Sequence, residues 1–248
     1  MSIYDVKSIT QLAAGISYLG RGILIGKSES GRQAVAAYFI SGRSENSRNR
    51  VFKERDGALF TEPFDATKVT DPSLIIYAAA RRFENSFIVT NGDQTDTVCK
   101  ALQAGGTFEG ALETRCFEPD APNFTPRISG ILDFRNGDFT YKMSILKSAD
   151  GQGSACARYT FSYPALPGLG HFIHTYNCDG DPIPTFTGEP ERVAIPDDID
   201  AFSKEIWDAL DANNRISLFV RYFDLASGEE TTRVINKHGK EDWTHEGI

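Results

Sequence analysis

The chain has 248 residues, 40% of them hydrophobic and 24% charged, with a formal net charge of −8 and a pI near 5.1. These are the proportions of a globular protein that can bury a substantial core as one domain, residues 1–248, and they count against disordered, fibrous and membrane-embedded classes. The acidic balance also counts against a nucleic-acid coat or an anionic-membrane binder, so any anion site must be a local basic pocket.

Residues 1–17 read as an N-terminal extension without an export signal, and no run approaches the ~18 apolar residues of a membrane helix, which predicts a cytoplasmic protein. YLGRGILIGK (18–27) and QAVAAYFIS (33–41) are two β-rich runs joined by a Ser-Glu-Ser-Gly turn, a hairpin pattern. Short strands are expected at 50–54 and 57–62, then a pair at Leu74–Ala80 and Phe87–Thr90 across a polar turn from Arg82 to Ser86. Asp93-Gln94-Thr95-Asp96 is a capping signal, predicting a helix over Thr97–Ala104 that stops at Gly105-Gly106, with a second helix over Phe108–Arg115. Three prolines make 117–127 a shaped loop.

Ile128–Phe134 and Phe139–Leu146 alternate about Asn136-Gly137, the strongest short turn signal in the chain. Strands are expected again at Ala155–Tyr163, His171–Asn177, Ile216–Tyr222 and Thr231–Asn236. Ile199, Phe202, Ile206 and Leu210 fall on one helical face, predicting an amphipathic helix that covers a sheet, and residues 239–248 read as a frayed acidic tail. Strands in hairpins with helices in the middle and near the end predict an α+β layered domain whose exposed strand edges offer a surface for homo-oligomer formation.

The candidate chemistry centres on AYFISGRSENSRNR, residues 37–50, where an apolar strand runs into a turn holding Arg43, Ser44, Arg48 and Arg50. Arginine forks bind phosphate oxygens two at a time and a hydroxyl completes the cradle, although arginines in a turn are also the ordinary solvated kind. The cysteines, Cys99, Cys116, Cys156 and Cys178, lie far apart and read as reduced thiols. His171 and His174 project to opposite faces of a strand, no carboxylates stand at ligand spacing, and no Gly-rich dinucleotide or P-loop motif occurs, so neither a metal nor a cofactor is expected. Removal of Met1 would leave Ser2 terminal, which keeps an N-terminal-nucleophile amide or formamide hydrolase as an alternative, but this position precedes the first strand by over a dozen residues.

Taken together, YLGRGILIGK, AAYFISGRSENSRNR, LIIYAA around Tyr77, VTNGDQTD (89–96), FEPDAPNFTPRI (117–128) and HTYNCDG (174–180) resemble the archaeal-type IMP cyclohydrolase family, in order, from about Tyr18 to Gly188. The extension before Tyr18, the loops around 147–170 and the part from about 190 fit that pattern less clearly. The resemblance implies a four-layer αββα sandwich like that of N-terminal-nucleophile hydrolases, and closure of 5-formamidoimidazole-4-carboxamide ribonucleotide (FAICAR) to IMP with loss of water in purine synthesis. The partner it implies is a small-molecule purine-pathway ribonucleotide, not nucleic acid or membrane.

By resemblance, Arg43 polarises the formyl oxygen or anchors the nucleotide, Tyr77 donates a hydrogen bond, and Glu118 moves protons during attack and dehydration. Tyr77 also reads as a core aromatic and Glu118 as a solvated loop acid. Asn91, Asp96 and Asn177 stand where strands end and could read a carboxamide or ribose hydroxyls, or serve as turn and cap residues. Arg127 could reach the phosphate or pair with Glu118 or Asp120. Arg21 lies between Gly20 and Gly22, where the backbone is open to a ligand. A non-catalytic purine-nucleotide-binding protein would keep the arginine turn and tolerate changes at Glu118 and Tyr77.

Overall fold

The computed structural model describes residues 4–69 and 76–239. Strands β1 (Arg21–Lys27) and β2 (Gln33–Ser41) form the expected hairpin, with Arg21 opposite Ile40 and Ile23 opposite Tyr38. Nearly every residue of both strands is buried, which explains their continuous apolar character: both faces are covered. The next elements are α2 (Glu45–Arg48), β3 (Val51–Arg55), β4 (Ala58–Glu62), β5 (Tyr77–Phe83) and β6 (Ser86–Thr90), preceded by a short α1 (Ile9–Ala13). Then come α3 (Gln94–Gln103), α4 (Phe108–Glu113), β7 (Arg127–Arg135), β8 (Asp138–Ser148) and β9 (Cys156–Pro164). The chain continues through β10 (Leu169–His174), β11 (Glu191–Ala194), α5 (Ile199–Ala209), β12 (Arg215–Asp224) and β13 (Glu230–Asn236).

The strands make two sheets, one ordered β11-β10-β1-β2-β12-β13 and the other β3-β4-β5-β6-β7-β8-β9, with every paired neighbour antiparallel. Alternate residues of each strand face opposite ways, and the apolar clusters follow that period. Ile23, Ile25, Tyr38, Phe87, Val89 and Phe219 meet between the sheets. Leu24, Phe39 and Phe172, on the other face of the six-stranded sheet, pack against Ile9 of α1 and Phe202 and Ile206 of α5. Ile88 and Ile131, on the outer face of the seven-stranded sheet, pack against Val98 of α3 and Phe108 and Leu112 of α4. The result is an α+β sandwich of two antiparallel sheets with helices on their outer faces.

Several boundaries differ from the sequence reading. Helix α3 begins at Gln94 rather than Thr97, and Asp93 stands at its N-cap without a side-chain cap bond, so Asp96 lies in the first turn. Strand β10 ends at His174 because the chain turns there into a loop pinned by Asn177 N–H donating to Pro184 O at 2.9 Å. Two short elements, α1 and β11, carry too few periodic residues to stand out. Helix α1 owes its start to a capping box in which Ser8 and Gln11 bond each other's backbone. Leu74 and Ile75 of the expected 74–80 run, Ser2, and the tail beyond 239 lie outside the described residues.

Candidate functional site

One end of the sandwich collects charge. On β1, Arg21 shares the inward face with Ile23 and Ile25; on β2, Tyr38 shares it with Ala36 and Ile40; on β5, Tyr77 shares it with Ala79. Arg21, 9% exposed, donates from Nη1 to Ser41 O at 3.0 Å. The Tyr38 and Tyr77 hydroxyls stand 3.1 Å apart and bridge the two sheets. Arg50, 8% exposed, enters from just before β3, and its buried Nε has no hydrogen-bond partner among the described residues. Leaving a buried guanidinium N–H unsatisfied costs free energy, so a water, an ion or an incoming ligand is expected to pair with it.

Electrostatics ties these side chains together. Burial works against the Arg21 cation, but Tyr18, Tyr38, Tyr77 and Glu118 around it outweigh that and raise its pKa. Burial and then the nearby Arg21 cation lower the pKa of Arg50, opposed by Tyr77, Tyr38 and Glu118. Two guanidiniums held this close in a poorly solvated place attract an anion. Burial, reinforced by Tyr77, pushes the Tyr38 hydroxyl well above its usual range, so it stays protonated at neutral pH and acts as a donor. Burial likewise raises the half-buried Glu118 carboxyl, with Asp120 adding and Arg127, Arg21 and Arg50 opposing. A carboxyl raised in this way can both take and return a proton.

Glu118 is positioned by its own loop. Its N–H donates to Thr125 O at 2.9 Å, while Thr125 N–H donates to Asp120 Oδ1 at 2.6 Å, closing 118–125 on itself. Thr125 Oγ1 is 2.6 Å from the Tyr176 hydroxyl, Tyr176 stacks on Tyr18 with centroids 5.7 Å apart, and the Arg43 guanidinium lies 5.1 Å from the Tyr18 centroid. Arg43 is exposed, pairs with Asp179 and donates to Gly180 O at 3.0 Å, so it joins the turn after β2 to the 177–187 loop at the rim. Asn177 sits in that loop, donating to Thr185 O at 3.1 Å and Thr187 Oγ1 at 3.3 Å.

The other sequence candidates have structural partners. Ser44 caps α2 by accepting from Ser47 N–H. That helical turn swings Arg48 away from Arg50, onto Arg43 O, Asn213 O and Asn214 Oδ1. Asn91 is buried, donating to Pro126 O at 2.9 Å and accepting from Ile128 N–H at 2.9 Å. Asp96 pairs with Arg81 at 2.8 Å on the helical side. Arg127 faces α3, on Asp93 at 3.0 Å and Gln94 Oε1 at 2.9 Å, yet its field reaches Glu118.

The two glycines beside Arg21 serve the protein's own packing rather than a ligand. A Cβ at Gly20 would lie 2.1 Å from Thr175 Oγ1, and one at Gly22 would lie 2.3 Å from Phe39. His171 is likewise packed, 2.7 Å from the Tyr141 hydroxyl and stacked on Tyr163, with burial and Arg192 lowering its pKa to about 4. Sequence reading passed over Tyr38, because an aromatic residue on the inward face of a buried strand has the same signature as any core residue.

These features define an α+β sandwich protein with an internal cationic cluster at one end, built from arginine, tyrosine and one raised carboxyl. The IMP cyclohydrolase-like protein family matches residues 18–229, and the chain belongs to that family. The IMP cyclohydrolase of Methanopyrus kandleri is 31% identical over 181 residues, covering 68% of this chain and 89% of that protein. The IMP cyclohydrolase of Methanococcus aeolicus is 26% identical over 165 residues, covering 65% and 75% respectively. The family match runs beyond 190, so β11, α5 and β12 belong to the shared architecture.

Proposed function

We propose that this protein is an IMP cyclohydrolase, an enzyme that closes FAICAR to IMP with loss of water. The observation that carries the reading is the convergence of Tyr38, Tyr77 and Glu118 on Arg21 and Arg50, whose buried Nε lacks a partner. The family match and the names of its relatives support it.

The reaction joins a carboxamide nitrogen, a poor nucleophile, to a formyl carbon, so proximity and stabilisation of a developing oxyanion matter most. Burying a phosphate monoester and an oxyanion without cations would be costly, and Arg21, Arg50 and Arg43 supply them. Arg43 anchors the nucleotide at the rim, while Arg21 and Arg50 hold negative charge inside. Tyr38 donates to Tyr77, which leaves the Tyr77 proton for the formyl oxygen. Glu118 removes a proton from the attacking nitrogen as the C–N bond forms. It then returns that proton to the departing hydroxyl, the formamide nitrogen gives its proton to the Tyr77 oxygen as the ring C=N bond forms, and water leaves.

On this reading the layers match those of N-terminal-nucleophile hydrolases, used here without a terminal nucleophile in a single cytoplasmic domain. Among the described residues no helix is long and apolar enough to cross a membrane. The test is the ultraviolet spectrum of purified protein mixed with FAICAR. A purine spectrum should grow in at a rate proportional to enzyme. An unchanged spectrum with FAICAR bound would leave a nucleotide-binding protein, and release of formate would leave a formamide hydrolase.

A further inference from the structure

Cys116 follows α4 and opens the segment that carries Glu118, whereas Cys156 begins β9, an edge strand of the seven-stranded sheet. Arg158 brings them together. Its Nη2 donates to Arg115 O at 2.8 Å and to Glu113 O at 3.3 Å, while its Nη1 donates to Cys156 O at 3.1 Å. This fork holds the end of α4 against β9 one residue short of Cys116. The backbone at Cys116 therefore lies beside that at Cys156, close enough for the two thiols to feel each other, while the Cys156 Sγ–H donates to Ala157 O at 3.7 Å. Cys116 is exposed, and Cys156 is half-buried against the cluster of Val98, Phe108 and Leu112.

We infer that Cys116 and Cys156 are a reversible dithiol–disulfide pair whose co-reactant is a low-molecular-weight disulfide. The exposed Cys116, as thiolate, attacks one sulfur of the reagent, forming a mixed disulfide and expelling one thiolate. Cys156 loses its proton to solvent and attacks the Cys116 sulfur, expelling the second thiolate. The protein gives up two electrons and two protons, and the reagent disulfide becomes two thiols. Burial, followed by the adjacent Cys116, raises the Cys156 thiol pKa, so the second step is the slower one. Oxidation pins the start of the segment two residues before Glu118 to β9. The 118–125 loop keeps its own bonds, because the Arg158 fork already holds the two segments side by side before the sulfurs join.

The test uses Cys178→Ser protein, which lacks the other exposed thiol and retains Cys99, Cys116 and Cys156. After treatment with oxidised glutathione and acid unfolding, alkylation should label Cys99 alone. The intact mass should show the loss of two hydrogens without bound glutathione, and a non-reduced peptide map should join Cys116 to Cys156. Dithiothreitol should restore all three thiols. With Cys156→Ser added, the reaction should stop at a stable glutathione adduct on Cys116. A persistent adduct on Cys116 beside an alkylatable Cys156, or both thiols left untouched, would overturn the pairing.

Discussion

Arginines are buried between the two sheets in two places, and they are treated in opposite ways. Arg221 on β12 is 2% exposed, and its guanidinium is fully engaged. It pairs with Glu54 and with Glu230 at 3.1 Å, donates to Gly57 O and Thr232 Oγ1 at 2.9 Å each, and lies over the rings of Phe87 and Phe219. Arg50, in the Arg21 cluster, faces a second cation and tyrosine hydroxyls, and keeps a buried nitrogen without a partner. The partners of Arg221 hold the fold together, whereas the unpaired N–H of Arg50, beside a second cation, leaves a donor for an incoming anion. The same residue type is therefore structural in one place and a candidate for function in the other. A cleft of about 420 Å³ lined by Arg82, Phe134, Arg135 and Phe223 lies elsewhere, beside the β7–β8 turn, and is larger than it is charged with meaning: Arg82 there is already paired with Glu230.

Replacements can break or sharpen this contrast. Glu118→Gln should have the largest effect, lowering turnover about 10²–10⁴-fold while KM changes much less, read from steady-state kinetics. The same variant carries a pH signature. Because the folded carboxyl is raised above its unfolded value by burial, the wild-type protein loses stability as pH rises through the folded pKa. Glu118→Gln should thus be the more stable form at neutral pH, with the difference vanishing as pH falls into the ordinary carboxylate range. A variant that is less stable at neutral pH would refute the raised carboxyl.

Arg221→Met strands two carboxylates that are each about a quarter exposed, and should cost about 2–4 kcal/mol in urea unfolding. Arg50→Met should weaken binding of IMP by about 30–100-fold with the unfolding midpoint unchanged or raised. If Arg50→Met instead unfolds the protein as Arg221→Met does, the two arginines are alike and the contrast fails. Asp96→Ala should do least, shifting stability by less than about 1 kcal/mol and leaving turnover unchanged, because its pair with Arg81 is 48% exposed on the carboxylate side.

Local pattern carried much of this protein. Apolar runs bounded by Gly-rich turns marked β1, β2, β7, β8 and β12, and four spaced apolar residues marked α5, because period and turn chemistry act over a few residues. The arginine turn was legible as a cationic stretch, and ordered motifs from Tyr18 onward carried the family resemblance. The turn did not reveal which arginine goes inside. Arg48 and Arg50 are two residues apart, yet α2 directs one to Asn214 and leaves the other buried between sheets.

Charge, periodicity and motif order were thus determined by the sequence alone, since each depends on neighbours along the chain. Only the tertiary structure decided that Tyr38 meets Tyr77, that Glu118 shares a field with Arg21 and Arg50, and that Arg158 holds the Cys116 segment beside Cys156. Those meetings depend on how two sheets stack and where loops close. Burial, which sets both pKa values and the cost of an unpaired donor, exists only after that packing.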